Sequence, residues 1–354
     1  MAPITTTADG GVAVIIVNYR TPELTIDCLA SIAAERQAVP GLHVMIVDGG
    51  SDDGSAETIA RAIEARGHGD WASLLALDVN GGFGFANNQG IFALRDRGML
   101  PPFVCLINPD ARVRPGALRA MLDLLAREPR AGAAGARLEL DDGRNQGSAF
   151  VFPSLAGEFC RGARTDLLRR LLRQPHVAIE SDTARRVPWV TGAAVTFRRA
   201  ALEQAGLFDD GFFLYYEETE LMARLTRLGW EIWHEPAARV VHLGGKATNL
   251  RDVETGRMLP GRLPRYWYDS RRRYFVRVGG RLHAIAAGLS YLAGRLIWQA
   301  RCVVQRRVDN DPRRSTRDFI AFSLWPRPED VRPAQAPGLR SEPPALPAWM
   351  REPA

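Results

Sequence analysis

Lysine is almost missing from this chain: of its 46 basic residues only Lys246 is not an arginine. A bias this strong is what a GC-rich genome produces, so arginine in place of lysine carries little functional message. Cysteine is scarce as well. Cys28, Cys105, Cys160 and Cys302 lie far apart, with no CxxC pair and no metal-ligand spacing. That excludes a disulfide framework and a thiolate zinc site, and suits small buried hydrophobes in a reducing compartment. No stretch approaches ~20 uninterrupted apolar residues, so no membrane-spanning helix is expected. The start "MAPITTTADGG" has no basic region before an apolar run, so no secretory signal is expected either. GxxxxGK[ST] is missing, which removes a P-loop.

What is present is enough apolar material, 46% of 354 residues, to bury one large domain or two ordinary ones. The net charge of +6 is unevenly spread. Between Arg262 and Arg314 thirteen arginines face three acids (Asp269, Asp309, Asp311), a local +10 that leaves about −4 for the remainder. Basicity belongs to one late segment.

The first half has a βα rhythm. "VAVIIVNY" (12–19) reads as a strand buried on both faces, and Thr21 and Pro22 then cap and open a helix. "HVMIVD" (43–48), "LLALDVN" (74–80) and "FVCLINPDA" (103–111) are further strands, each followed by a helical stretch. This alternation predicts a parallel sheet with helices on both faces. After Leu138 the pattern loosens. "VPWVTGAAVTFRRAALEQAG" reads as a strand pair running into a helix. "EETELMARLTRLGW" reads as a helix with Leu221, Leu225 and Leu228 on one face and Gly229 past its end. A helix is expected over 281–308, with Leu282, Ile285, Leu289, Leu292 and Leu296 spaced three and four apart. Eight of the 23 prolines fall from Pro326 onward, the composition of an extended or disordered tail.

In an open parallel sheet, ligands bind beyond the carboxyl ends of the strands. Here those ends read "NYR", "VDGGSDDGS", "NGGFGFANN" and "NPDA". The third lacks the last glycine of a dinucleotide fingerprint and no ribose-binding acid follows, which weakens an oxidoreductase reading. Asp48 is either a turn-former or a carboxylate accepting from a nucleobase imide. Asp110 is either a turn residue or a ligand for Mg²⁺ or Mn²⁺, which binds through one or two carboxylates plus substrate phosphates. His242, after "ARVV", is either structural or a ligand. "FFLYYEETE" (212–220) sets Glu217, Glu218 and Glu220 behind four aromatics, more apolar surface than a solvated helix face needs.

Seven motifs in register over residues 12 to 250 carry a resemblance: "VIIVNYR", "VDGGSDDGS", "NGGFGFANNQG", "NPDA", "WVTGAAVTFRR", "GLFDDGFFLYYEETELMARLTRLGW" and "VVHLGG". The series resembles the family-2 inverting glycosyltransferases of GT-A fold, in their bacterial rhamnosyltransferase-like branch. The resemblance implies an α/β, Rossmann-like, mostly parallel sheet flanked by helices, with a C-terminal helical extension. It implies donor contacts from Asn18, Tyr19, Arg20, Asp48, Gly82, Asn88 and Asp110, and a metal, Mg²⁺ or Mn²⁺, on Asp110 and His242. Asn108 stands where the family carries the first acid of its Asp-x-Asp. Glu218 falls on the general-base position, where Asp is commoner. Trp189, Thr191, Gly192, Tyr216 and Glu217 would line the acceptor cleft, while helix-dipole complementarity also accounts for Glu217 and Glu220.

The expected organisation is a disordered N-terminus (1–11), a GT-A domain (12–255, its nucleotide half about 12–138 and acceptor half about 139–255), a basic helical extension (256–325) and a Pro-rich tail (326–354). The leading reading is transfer of a sugar, rhamnose foremost, from a dTDP- or UDP-sugar to a glycan or lipid-linked acceptor in cell-surface polysaccharide assembly. A nucleotidyltransferase would need a basic Gly-rich signature that "NYRTPE" is not. A degenerate carbohydrate-binding protein would have lost its base or Asp110, and both carboxylates are present. No nucleic-acid module is seen. A cytoplasmic protein is expected, with an oligomer and docking of the arginine-rich segment at the inner membrane face left open against a helix packed with its arginines in solvent.

Overall fold

The computed structural model of the protein describes residues 11–244, 261–309 and 311–333. The N-terminus through residue 10, the 255–256 boundary with Lys246, and the tail from 334 lie outside the described residues. The first half runs β1 (Val12–Asn18), α1 (Pro22–Ala33), β2 (Leu42–Asp48), α2 (Ser55–Ala65), β3 (Ala72–Ala76), α3 (Phe83–Asp96), β4 (Phe103–Ile107), β5 (Ala111–Val113), α4 (Ala117–Arg127) and β6 (Ala131–Glu139). The second continues with β7 (Asn145–Gln146), β8 (Ala149–Phe150), α5 (Leu155–Ala163), α6 (Asp166–Leu171), β9 (Ala178–Ile179), β10 (Arg185–Arg186), β11 (Trp189–Val190), β12 (Ala194–Arg198), α7 (Arg199–Ala205), α8 (Glu217–Arg227) and β13 (Glu231–His242). A long α9 (Arg265–Val304) and α10 (Ser315–Phe322) complete it.

The main sheet has the order β10-β13-β6-β12-β4-β1-β2-β3. β1 pairs parallel with β2 and β4, β2 with β3, and β6 with β13, while β12 lies antiparallel between β4 and β6. The mostly parallel α/β sheet is therefore as expected, with β12 reversed inside it and the short β5, β7 and β10 reversed beside β6 and β13. Register matters for the site. Asn18 lies beside Asp48, Ala194 beside Ile107, and His242 beside Ala111. The ends of β1, β2, β4 and β13 and the starts of β5 and β12 thus open onto one edge.

Strand alternation splits the core in two. Val12, Val14 and Ile16 point to a layer shared with α1 and α4, including Leu29, Leu118 and Leu125. Ala13 and Ile15 point to the opposite layer with Ile91, Phe197, Phe208 and Leu221. Each buried branched side chain contributes on the order of 1.5–3 kcal/mol. Gly90 lets α3 approach this second face, since a Cβ there would sit 3.0 Å from Val47.

Several expectations change. Strand β3 ends at Ala76, short of Asn80, because residues 78–80 turn into α3. The two strands of "VPWVTGAAVTF" do not pair. β11 joins β8 and β9 in a small second sheet, while β12 enters the main one. Leu228 is exposed at the end of α8, where Gly229 takes φ +87°. Residues 326–333, expected as tail, are anchored: Asp330 receives Arg272 Nε at 2.6 Å, and the Glu329 and Arg332 carbonyls receive Arg273.

The helix expected over 281–308 is the second half of α9, which ends at Val304 and breaks at Gly280 with φ +83°. Its predicted leucine face is not the buried one. Ala284, Ala287, Gly288, Tyr291, Gly294, Arg295 and Trp298 face inward instead. A Cβ on Gly294 would overlap the Phe159 carbonyl, and one on Gly162 the Tyr291 carbonyl. Small residues let α5 and α9 touch backbone to backbone, a contact that leucine would hold apart. The alternative of a packed helix with its arginines in solvent holds only in part, since Arg281, Arg306 and Arg307 are exposed and four others are not. Arg271, Arg272, Arg273 and Arg295 are buried in ion pairs with Glu158, Asp330, Asp209, and Asp309 with Asp311.

Candidate active site

At the end of β1, Asn18 is fully buried and donates Nδ2 to Asp48 Oδ1 at 2.6 Å. Its Oδ1 accepts from Thr25 Oγ1 at 2.9 Å. Asp48 also accepts from the Ser51 amide (3.0 Å) and hydroxyl (2.6 Å). Three donors hold the carboxylate in one orientation at the β2 end. Arg20 sits at φ +56°, tied to Ser51 through Oγ and O at 3.0 Å each, with its guanidinium 5.2 Å from the Tyr19 ring. Ser51 holds this wall together, yet the sequence reading did not single it out among the polar residues of "GGSDDGS".

Gly82 and Asn88 behave differently from the other expected donor contacts. Gly82 adopts φ +91°, and a Cβ there would overlap the Phe213 carbonyl, which accepts from the Phe83 amide at 3.0 Å. The glycine is required because two backbones meet there. Asn88 is buried, with both Nδ2 hydrogens used on Phe208 O (2.9 Å) and Asp210 Oδ1 (2.6 Å), and Oδ1 accepting from the Phe208 amide (3.1 Å). Its contacts are those of a clamp on the 208–210 loop.

Asn108, Asp110 and His242 come together where β4 and β13 end. The His242 Nε2 is 3.4 Å from Asp110 Oδ1 and 3.4 Å from Asn108 Nδ2. Its Nδ1 faces Gln146 Oε1 at 2.8 Å. An amide oxygen only accepts, so Nδ1 carries a proton, and Nε2 accepts from the Asn108 amide while facing Asp110. This is the outer-sphere arrangement that prepares a histidine for a cation. Among the described residues no group of three acidic, histidine or cysteine side chains could hold a metal by itself. Gln146 was missed because nothing in "RNQGSAF" signals it.

The third wall carries the carboxylates. Tyr215 and Tyr216 both take positive φ (+71° and +69°), a costly pair for non-glycine residues. The strain turns the chain so that α8 begins at Glu217. Glu217 is buried, and its Oε2 and that of Glu218 have no hydrogen-bond partner among the described residues. Burial raises the proton affinity of Glu217 well above the usual range, and the Glu218 charge adds to it. Burial raises Glu218 too, opposed by the backbone N–H groups of Glu218, Gly192 and Thr219. Glu217 does stand in the first turn of α8, as helix-dipole complementarity requires, but buried rather than in solvent. Glu220 is one structural acid: Arg224 bonds it at 2.8 Å and holds the Leu207 carbonyl.

Gly192 brings the expected acceptor segment to this pair, since a Cβ there would lie 3.2 Å from Phe83 and 3.8 Å from the Glu218 Cβ. Thr191 bonds the Ser148 carbonyl through its amide at 3.0 Å. Trp189 stacks on Phe150 and donates Nε1 to Val151 O at 3.0 Å. From the far side α9 braces the loop. Ser270 Oγ donates to Leu214 O at 2.9 Å, and Tyr266 packs against Phe213 and Tyr215. Trp267 and Tyr274 pack on Tyr216, and Arg273 holds Asp209 at 2.7 Å. None of these five α9 roles was read from sequence, whose motifs end before α9 begins.

Strand ends that carry a held carboxylate and an Asp–His pair, with buried Glu217 and half-buried Glu218 at the start of α8, suit a glycosyltransferase. Residues 9–258 match the model of the glycosyltransferase like family 2, and the chain belongs to that family. It is 32% identical over 228 residues to N-acetylglucosaminyl-diphospho-decaprenol L-rhamnosyltransferase of Mycobacterium tuberculosis, spanning 60% of this chain and 68% of that one. The rhamnosyltransferase-like branch recognised from the motifs is thereby supported. Succinoglycan biosynthesis protein ExoO of Rhizobium meliloti is 30% identical over 131 residues, 37% of this chain and 32% of the relative. Among solved structures, the mannosyltransferase PcManGT of Pyrobaculum calidifontis, in complex with GDP-Man and Mn²⁺, aligns with TM-score 0.50 at 18% identity. That alignment covers 85% of this chain and 77% of the other, and it carries the fold.

Proposed function

We propose that this glycosyltransferase moves rhamnose from a nucleoside-diphosphate donor, dTDP-rhamnose foremost, to a hydroxyl of a lipid-linked diphospho-sugar, with inversion. The support for the sugar and the acceptor class is the identity to the mycobacterial rhamnosyltransferase over most of that enzyme. Asn18, Tyr19, Arg20 and Asp48 receive the nucleotide. Their mutual hydrogen bonds fix the carboxylate before any ligand arrives, which lowers the ordering cost of binding.

Asp110 and His242 fit a divalent cation: a carboxylate that is 4% exposed and an imidazole with its lone pair turned inward. Two protein ligands match Mg²⁺ or Mn²⁺ completed by substrate phosphates. Bound there, the ion supplies charge neutralisation for the departing diphosphate. Glu218 takes the proton of the acceptor hydroxyl as that oxygen attacks the anomeric carbon. The bond from that carbon to the diphosphate oxygen breaks on the opposite side, and its electron pair leaves with the nucleoside diphosphate. The observation that carries this reading is the Glu218 Oε2, buried and without a protein partner beside Gly192. Phe83, Trp189, Thr191 and Tyr216 bound the acceptor side.

The test is release of nucleoside diphosphate from a panel of nucleotide-sugars, with and without a lipid-linked N-acetylglucosaminyl diphosphate. Acceptor-dependent dTDP release from dTDP-rhamnose, abolished by Asp110→Ala, is expected. A preference for another sugar, or release that ignores the acceptor, contradicts the assignment.

A further inference from the structure

The second half of α9 leaves an apolar stripe uncovered, and resting on the proposed lipid-linked acceptor, we infer that this stripe seats the enzyme on an anionic membrane surface. Leu282, Leu289, Leu296 and Val303 recur every seven residues and are 83%, 55%, 67% and 80% exposed. Seven residues fall short of two helical turns by only ~20° of drift, so the four form one row. Ala286, Ala293 and Ala300 lie between them, Val304 adds to the exposed end, and half-buried Ile285 and Ile297 flank the row. No charged residue interrupts this strip along a helical span of about 36 Å.

Charge decides what covers it. Arg281 stands at one end and Arg306 and Arg307 just past the other, all exposed and without an ion pair among the described residues. Exposed Arg313, Arg314 and Arg317 follow in the turn to α10. The nearby acids are already taken, Asp309 by Arg295 and Asp311 by Arg164 and Arg295. The rim is therefore uncompensated positive charge around an apolar strip. A second copy laid on the strip would bring Arg281 against Arg281 when parallel, or against Arg306 and Arg307 when antiparallel. Like charges would meet in both arrangements. Anionic head groups instead complement the rim, while the leucines reach the acyl boundary. Trp325, 61% exposed, adjoins Leu324, which packs on Gly288 of the same helix and adds an interfacial aromatic. Among the described residues no helix is long and apolar enough to cross a membrane, so this one lies on the surface.

This differs from docking by the arginine-rich segment as a whole. The arginines of the first half of α9 are committed to the interior, and the binding face is the leucine row the interior declined.

The experiment is flotation of the full chain with vesicles of phosphatidylcholine alone or mixed with phosphatidylglycerol, without donor or acceptor. Wild type is expected to float with the anionic vesicles, less at high salt, and far less with the neutral ones. Leu289→Asp/Leu296→Asp should weaken flotation by about tenfold or more, and Arg306→Gln/Arg307→Gln by several-fold. Circular dichroism should be unchanged, since all four side chains are exposed. The inference is overturned by equal flotation of wild type and the leucine variant, by failure to bind either vesicle, or by a wild-type dimer in sedimentation that the leucine variant abolishes. Flotation needs no turnover, so its failure leaves the transfer assay standing, and a failed transfer assay leaves the flotation result standing.

Discussion

The donor wall of the crevice holds itself. Asn18, Asp48 and Ser51 bond one another at the ends of adjacent parallel strands, within 33 residues of chain. On the base wall, the loop before Glu218 is fixed from a distance. Ser270 and Arg273 reach it across 56 and 64 residues, and Asn88 across 120. Sheet register builds the first wall, and a helix outside the sheet completes the second. The difference separates affinity from turnover: damage to β1 and β2 should be felt by the donor, damage to α9 by the geometry of the base.

Arg273→Ala should break this comparison most severely. It leaves the buried Asp209 without its main partner, and removing one member of a buried pair costs about 3–5 kcal/mol. A lowered Tm is expected, with transfer rate falling more than donor affinity. Arg273→Lys should restore part of the stability but less of the rate, because Lys cannot reproduce the guanidinium's several bonds. Equal losses of rate and donor affinity would show that the walls are not separable.

Asp48→Asn is the complementary change. It removes a charge accepting three hydrogen bonds, worth about 1.5–3 kcal/mol for each charged bond lost. Donor binding by calorimetry should weaken by about tenfold or more, with the rate at saturating donor close to wild type. A collapse of that rate with unchanged affinity would reverse the assignment.

Glu217→Gln should have a smaller effect, seen through pH. Burial raises the folded-state proton affinity of Glu217, so its contribution to stability is whole below the ordinary glutamate pKa of about 4.3. That contribution is lost as pH rises through the raised folded value. The variant lacks this loss, so its Tm should gain on wild type as pH rises from about 4 toward neutrality. A pH-independent difference would mean that the carboxylate is better solvated than its burial implies.

The strand ends of the proposed donor wall were largely legible before the fold was known, because continuous apolar runs ending in polar turns mark them. Asp48, Asp110 and His242 were placed that way. The base wall was legible only as the motif around Glu218. Its supports were not, since the partners of Ser270 and Arg273 stand 56 and 64 residues away. Periodicity found the second half of α9 but named the wrong face. Leucine spacing says which residues align, while the choice of buried face fell to Gly288 and Gly294, whose lack of side chains lets neighbours close in. The Asn88 clamp was hidden for a related reason, as a polar side chain in a glycine-rich turn does not reveal that its partners lie on a distant loop.

The most direct test is the rate of transfer by Glu218→Gln at saturating donor, with donor affinity measured separately. The change keeps the side chain's shape and removes its proton acceptor. Loss of a general base is worth about 10²–10⁴ in rate, so a fall of that size with unchanged donor affinity is predicted. Transfer within a few-fold of wild type by Glu218→Gln, beside an inactive Glu217→Gln, would contradict the account and move the base one residue earlier.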